Sequence, residues 1–262
     1  MPAELPRLDL RLRRRMLLGT AAGAAAYLLV VVAIYPSFRH DAAINDLVAT
    51  NPGAAAAFGI TGSITSPAGW LNANMYANVA PLLALLLTIG YGAAAIAGQD
   101  TDGLLGLLAT QPLTRGRIAA AKLGALLAVA ALVPLISYAV CLAGPHFGLA
   151  PDWGALAATS GALTLLAFDL GAVALVVGAV TGSRGAALGL ASGVAAAAYL
   201  VSSLAAANAT VHAIRWLSPF YWAVGQEQLT RGVSGLDVLC LAGLGSALAS
   251  VTVLAFRRLD IH

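Results

Sequence analysis

Six stretches of this 262-residue chain stay apolar for about twenty residues each, with almost no charge to interrupt them. They fall at roughly 16–35, 76–97, 118–143, 155–180, 186–207 and 236–256. An α-helix rises about 1.5 Å per residue, so about 20 apolar residues cross the ~30 Å hydrocarbon core of a bilayer. That core offers no water to free backbone groups, so each stretch has to close its hydrogen bonds internally as a helix. The remaining composition leaves no alternative. Hydrophobic residues make up 60% of the chain and charged ones 10%, against about 25% charged in ordinary soluble domains. With a net charge of only +3, a soluble enzyme, a disordered tail and a nucleic-acid module are all excluded. The predicted fold is all-α: a polytopic membrane protein of six transmembrane helices in a single domain, 1–262.

The first stretch follows Arg11, Arg13, Arg14 and Arg15, as a secretory leader would. Its apolar core is longer than the 7–15 residues of a leader, and it ends at Tyr35-Pro36 without a clear cleavage site. It is therefore counted as a span. Orientation comes from the 14 lysines and arginines, because cytoplasmic loops collect them. Arg39, Arg215 and Arg231 fall on one side and the other eleven on the opposite side, which places both termini in the cytoplasm. Between spans one and two, the external segment 36–75 is long enough to be functional or a folded cap. Within it, 42–58 is expected to be helical, with a break at Asn51-Pro52. Cys141 and Cys240 lie in apolar runs and read as small hydrophobes.

The loop 98–117, between spans two and three, carries the most information. Asp100 and Asp102 sit where carboxylates suit the positive end of a helix dipole. Leu104, Leu105, Leu107 and Leu108 give that short helix an apolar face. Pro112 ends it, since the residue before a proline avoids the α region. Arg115, Arg117 and Lys122 mark the return to the membrane. On physical grounds alone, an interfacial amphipathic helix and a docking element for a partner are about equally good readings.

The residues Asp100, Gly103, Leu107, Leu108, Pro112, Leu113, Thr114, Arg115 and Lys122 resemble the cytoplasmic coupling helix of the type-2 ABC exporter permeases. The usual form there is close to E-x-x-G-T-L-E-L-L-L-x-x-P-V/L-S-R…K. The chain departs from it at Gln99 and Gly106. The stretch Trp216-Leu217-Ser218-Pro219-Phe220-Tyr221-Trp222 is similar to the external re-entrant element of these permeases. Phe256-Arg257-Arg258-Leu259-Asp260-Ile261 resembles their F-x-R-R-D-I/L ending, with Leu259 departing.

The resemblance implies a permease subunit of an ABC exporter in a bacterial inner (plasma) membrane. It also implies two ABC ATPase subunits as partners and a second permease copy, in a homodimer or related heterodimer. Asp100, Gly103, Leu107, Leu108, Pro112, Thr114, Arg115 and Lys122 would couple it to the ATPase. Trp216, Pro219, Phe220, Tyr221 and Glu227 would form the external element. The chain itself is expected to hold no cofactor, with ATP and Mg bound by the partner. A P-loop needs G-x-x-x-x-G-K-S/T, and the single lysine, Lys122, follows Ala121. Walls rich in Ala, Leu and Val favour an amphipathic, drug-like or lipid-like cargo, as in multidrug efflux.

Asp169 is the main ionisable residue within a span. A charge at mid-bilayer costs about 2.5–3.5 kcal/mol on insertion scales, so such residues face a cavity or a partner. Asp169 is therefore either a substrate-pathway or ion site, or a carboxyl hydrogen-bonded to a neighbouring span through Ser137, Tyr138 or Ser192. The first option keeps open an ion- or proton-coupled secondary transporter, beside a non-transporting assembly or sensor subunit. Gly19 with Gly23, and Gly185 with Gly189 and Gly193, repeat at four-residue spacing, which predicts close helix packing, chiefly within the chain. Pro134 is expected to kink span three. The four histidines have no ligand spacing, so no metal site or catalytic constellation is expected.

Overall fold

The computed structural model describes residues 9, 11, 13–41, 43, 46, 48, 50–51, 63–95, 115–205, 208–225 and 228–258. Among these there is no strand, and six helical runs are long and apolar enough to cross a membrane. Helix α1 covers Arg14–Phe38. A short α2 (Pro67–Leu71) passes through a π-turn (Asn72–Tyr76) towards α3 (Val79–Ala93), and together they make one apolar run, Pro67–Ala93. Helices α4 (Arg115–Cys141), α5 (Trp153–Thr181) and α6 (Arg184–Leu204) follow. Three short pieces, α7 (Ala209–Ile214), α8 (Pro219–Val224) and α9 (Gln228–Arg231), precede the last long helix, α10 (Gly235–Arg258).

The second run begins at Pro67, nine residues before the hydropathy of the sequence rises at Tyr76, because local chemistry starts it there. The Ser66 hydroxyl accepts a hydrogen bond from the Gly69 amide at 3.0 Å, and Pro67 occupies the first turn, where its missing N–H is no loss. Asn72 and Asn74 mask this start from a hydropathy reading. The Asn74 side-chain amide donates to the Trp70 carbonyl one turn back, at 3.0 Å. Asp152 and Ser183 cap α5 and α6 in the same way, each accepting an amide three residues on. Only two residues, Gly182 and Ser183, separate these helices, and Gly182 makes the turn with φ at 62°. Helix α4 continues through Pro134 to Cys141.

Helix α5 is the hub and packs against α3, α4, α6 and α10. In a bilayer, apolar surface gains nothing by leaving lipid for protein, so close van der Waals packing and internal hydrogen bonds must hold the bundle. Small residues make that possible: Gly92 of α3 sits directly against Gly171 and Ala174 of α5. The tyrosines supply the hydrogen bonds. Tyr76 and Ser160 share one at 2.7 Å inside the core. At the rim of α1, the Trp70 indole donates to the Val31 carbonyl at 3.0 Å and stacks on Phe38 at 5.3 Å. The Tyr35 hydroxyl donates to the Thr65 carbonyl at 2.9 Å.

The glycine repeats read from the sequence do not pack within the chain. A β-carbon added at Gly19, Gly23, Gly189 or Gly193 would meet nothing within 4 Å. At Gly185 it would meet only the Ser183 hydroxyl, at 3.9 Å. The spacing marks a helix face that permits close approach, and among the described residues nothing packs on that face.

Candidate functional site

Helices α3 and α6 flank a groove of about 650 Å³, within the range of pockets that hold a drug-sized molecule. Its α3 wall is Pro81, Leu82, Leu85, Leu86, Ile89 and Gly90; its α6 wall is Leu188, Ser192, Ala195, Ala196 and Tyr199. Leu82 and Leu86 remain 69% and 64% exposed, so this wall is uncovered and apolar. Polar chemistry is confined to Ser192 and to one end of the groove, where the Tyr199 hydroxyl donates to the Asn78 side-chain carbonyl at 2.5 Å. Phe220 of α8 closes that end, edge-on to Tyr199 at 5.6 Å.

The sequence-predicted residues 216–222 build this end. The Ser218 hydroxyl donates at 2.6 Å to the carbonyl of Ala198. Ala198 lies six residues before the end of α6 at Leu204, about 9 Å back along the helix axis. The chain therefore turns back along α6 after leaving it, and Pro219, Phe220 and Tyr221 are buried against α5, α6 and α10. Trp216 stays half exposed and meets Tyr221 edge-on at 5.0 Å. The Arg215 guanidinium lies 5.3 Å from the Trp216 ring and 5.0 Å from the Tyr221 ring, a double cation–π contact. Gln228 of α9 donates to the Tyr221 carbonyl at 3.2 Å and ties the far side down. Glu227 lies outside the described residues.

Asp169 is not part of the groove. It is fully buried on α5 and faces α10 at Gly245, where an added β-carbon would stand 2.5 Å from its Oδ1. Neither carboxyl oxygen has a hydrogen-bond partner among the described residues. The expected hydrogen bond to Ser137, Tyr138 or Ser192 is not formed. Ser137 donates instead to Val133 on its own helix at 2.7 Å, Tyr138 packs edge-on to Trp153, and Ser192 lines the groove. A buried polar group left unsatisfied costs about 1–3 kcal/mol. Asp169→Asn removes an ionisable group without changing shape, so it is expected to keep the helices assembled, with a thermal midpoint in detergent no lower than wild type. A clearly lowered midpoint would mean that the carboxylate holds a partner in the assembled protein.

At the end of the bundle that carries residue 9, the residues that the sequence resemblance assigns to coupling are only partly described. Asp100, Gly103, Leu107, Leu108, Pro112 and Thr114 lie outside the described residues, and Arg115 opens α4. Lys122 is described, and it points inward. It is 4% exposed and donates from Nζ to Asp9 Oδ2 at 2.6 Å. Reading the sequence singled out neither Asp9 nor Tyr91, which joins the same contact; the available signal was a lone lysine opposite a lone acid in an arginine-rich segment. The Gly92–Gly171 crossing was also missed, because its two halves lie 79 residues apart on different helices.

A comparison with curated proteins found no match. Residues 5–253, nearly the whole chain, match the family model described as ABC-2 family transporter protein.

Proposed function

This chain belongs to the ABC-2 family of transporter proteins, a permease family that works with an ABC ATPase, and from that membership we propose that it forms half of an ATP-driven export pathway. A second permease copy, the same chain or a related one, supplies the other half. The groove between α3 and α6 is the observation that carries this reading. It is long, apolar and open along one side, so a single copy makes a wall and not an enclosed route. Gly189 and Gly193 expose bare helix backbone on α6, which suits a close approach by another helix. With both termini in the cytoplasm, the Asn78–Tyr199 end faces outward, under the turn built from 216–222. That turn acts as the external cap.

The cargo is an amphipathic, drug-like or lipid-like molecule. Leucine, isoleucine and alanine side chains line most of the groove, and its few polar groups are uncharged. Such a wall receives an acyl chain or aromatic body and lets a small polar head meet Asn78, Tyr199 or Ser192. It gives a sugar or an ion too few partners to replace water. The loop 98–117 is the ATPase contact, so closure of the nucleotide-binding subunits would pull on the ends of α3 and α4.

The test is reconstitution. The chain purified from native membranes is expected to bring an ATP-hydrolysing subunit with it. Together they should move a fluorescent phospholipid analogue or an amphipathic dye outward only when ATP is supplied. Transport driven by a proton gradient without ATP would sink the reading and return attention to Asp169. Ser192→Trp is expected to fill the groove, cutting ATP-driven transport by an order of magnitude with the fold unchanged. Undiminished transport in that variant would place the pathway elsewhere.

A further inference from the structure

The contact at Lys122 has a geometry that the docking loop alone does not require. Asp9 and Lys122 are 8% and 5% exposed as side chains, so the pair is buried. Burying two charges is costly, and such a pair is weak evidence for stability because apolar side chains of similar size generally do as well. What it does supply is a defined position. The chain's single lysine is used here, 113 residues away from its acid.

Three segments meet at one oxygen. Lys122 Nζ donates to Asp9 Oδ2 at 2.6 Å, and the Tyr91 hydroxyl donates to the same oxygen at 3.1 Å. The Tyr91 hydroxyl also lies 3.4 Å from the Lys122 carbonyl. Above the Tyr91 ring, at 5.1 Å, sits the Arg13 guanidinium, directly before α1 begins at Arg14. Tyr91 belongs to the last turn of α3, and Lys122 stands two turns into α4. These are the two helix ends between which the loop runs. Both are fastened to the short segment that leads into α1.

We propose that Asp9 is a positioning residue of the coupling machinery, a clasp that joins both roots of the docking loop to the start of α1. Displacement of the loop by the ATPase is then passed to three helices as one unit. Helix α1 already packs along α4 but has few contacts with α3, so the clasp is what ties the end of α3 to the start of α1. This inference rests on the exporter reading given above.

Two measurements test it, both on the full chain with its ATPase subunit in lipid vesicles, using the fluorescent phospholipid analogue as probe. The first is the number of probe molecules exported per ATP hydrolysed. The double variant Asp9→Leu/Lys122→Met replaces the ion pair with an apolar pair, so neither Asp9 nor Lys122 is left facing the other's absence. It is expected to insert and assemble, and to lose most of its export per ATP. The charge-reversed variant Asp9→Lys/Lys122→Asp is expected to recover a substantial part of that ratio. A purely structural pair predicts the opposite, since the apolar pair would restore everything. The second measurement uses the single lysine. Amine labelling of Lys122, read by mass spectrometry, is expected to rise several-fold in Asp9→Asn.

A wild-type ratio in the apolar pair overturns the proposal, as does unchanged labelling in Asp9→Asn. So does loss of both Asp9→Asn and the apolar pair from the membrane. Wild-type protein that fails to export on ATP refutes the exporter reading instead, and the two failures are therefore distinct.

Discussion

Gly171→Val is expected to leave little assembled protein in the membrane fraction, while Gly189→Val and Gly193→Val insert and fold normally. The difference lies in what surrounds each glycine. At Gly171 an added β-carbon would stand 2.6 Å from Leu126 Cδ1, 2.9 Å from Thr88 Cβ and 3.1 Å from the Thr88 carbonyl oxygen. Leu126 and Thr88 are themselves fully buried, so neither has room to retreat. Across the same crossing, a β-carbon at Gly92 would lie 2.4 Å from the Gly171 carbonyl oxygen and 3.2 Å from the Leu175 amide nitrogen. Those are backbone atoms, and they move only if α3 and α5 separate.

Overpacking a filled core costs about 1–3 kcal/mol and sometimes more. Here the cost falls on the crossing that holds α3, α4 and α5 together, and valine adds two carbons beyond the one tested. Size-exclusion chromatography of detergent-extracted protein reads the result. A normal, monodisperse Gly171→Val peak would mean that this crossing is looser than the structure has it. At Gly189 and Gly193 nothing stands within 4 Å, so the fold of one chain should not notice valine. If α6 meets a second copy, these two variants should weaken association without affecting the subunit.

Pro112→Ala combined with Arg115→Glu is expected to free the ATPase from the permease and lower ATP-driven transport by about a hundredfold. That corresponds to ~3 kcal/mol, the scale of losing one well-formed charged contact at an interface. The proline ends the short helix expected in the loop, and the arginine stands at the start of α4. Reversing that charge replaces an attraction to an acidic partner surface with a repulsion. Co-purification of the ATPase through the variant permease is the direct readout. Full retention of the ATPase would move the docking surface away from 112–115 and undercut the resemblance on which that assignment rests.

Much of the fold is legible in the amino-acid sequence because the bilayer imposes a one-dimensional rule. A run of about 20 apolar residues must be helical whatever its neighbours are, so hydropathy alone predicts six spans. The start of the second span at Pro67 is less legible. It depends on a Ser66 cap and on Asn74 turned to a backbone partner, and both are local geometry. Helix contacts are less legible still. Four-residue glycine spacing states which backbone is bare, and among the described residues no other helix packs on the bare stripes of α1 and α6. The glycines that do bring helices together, Gly92 and Gly171, carry no mutual spacing.

The candidate site divides along the same line. The 216–222 turn is recognisable because it is a short contiguous pattern; loop 98–117 is as contiguous, and most of it lies outside the described residues. The groove is not recognisable, since its walls come from two helices separated by about a hundred residues of chain. Asp169 was visible as an anomaly, but its surroundings could not be read: it faces a glycine, not a hydroxyl. The pairing of Lys122 with Asp9 was equally hidden.

The sequence by itself determined that this chain is a six-helix membrane protein, because covalent order and hydropathy suffice to decide what enters a bilayer. Which faces close and which stay open was decided only by the tertiary structure. In lipid, packing selects partners by shape, one contact at a time, and shape exists only once the helices have met.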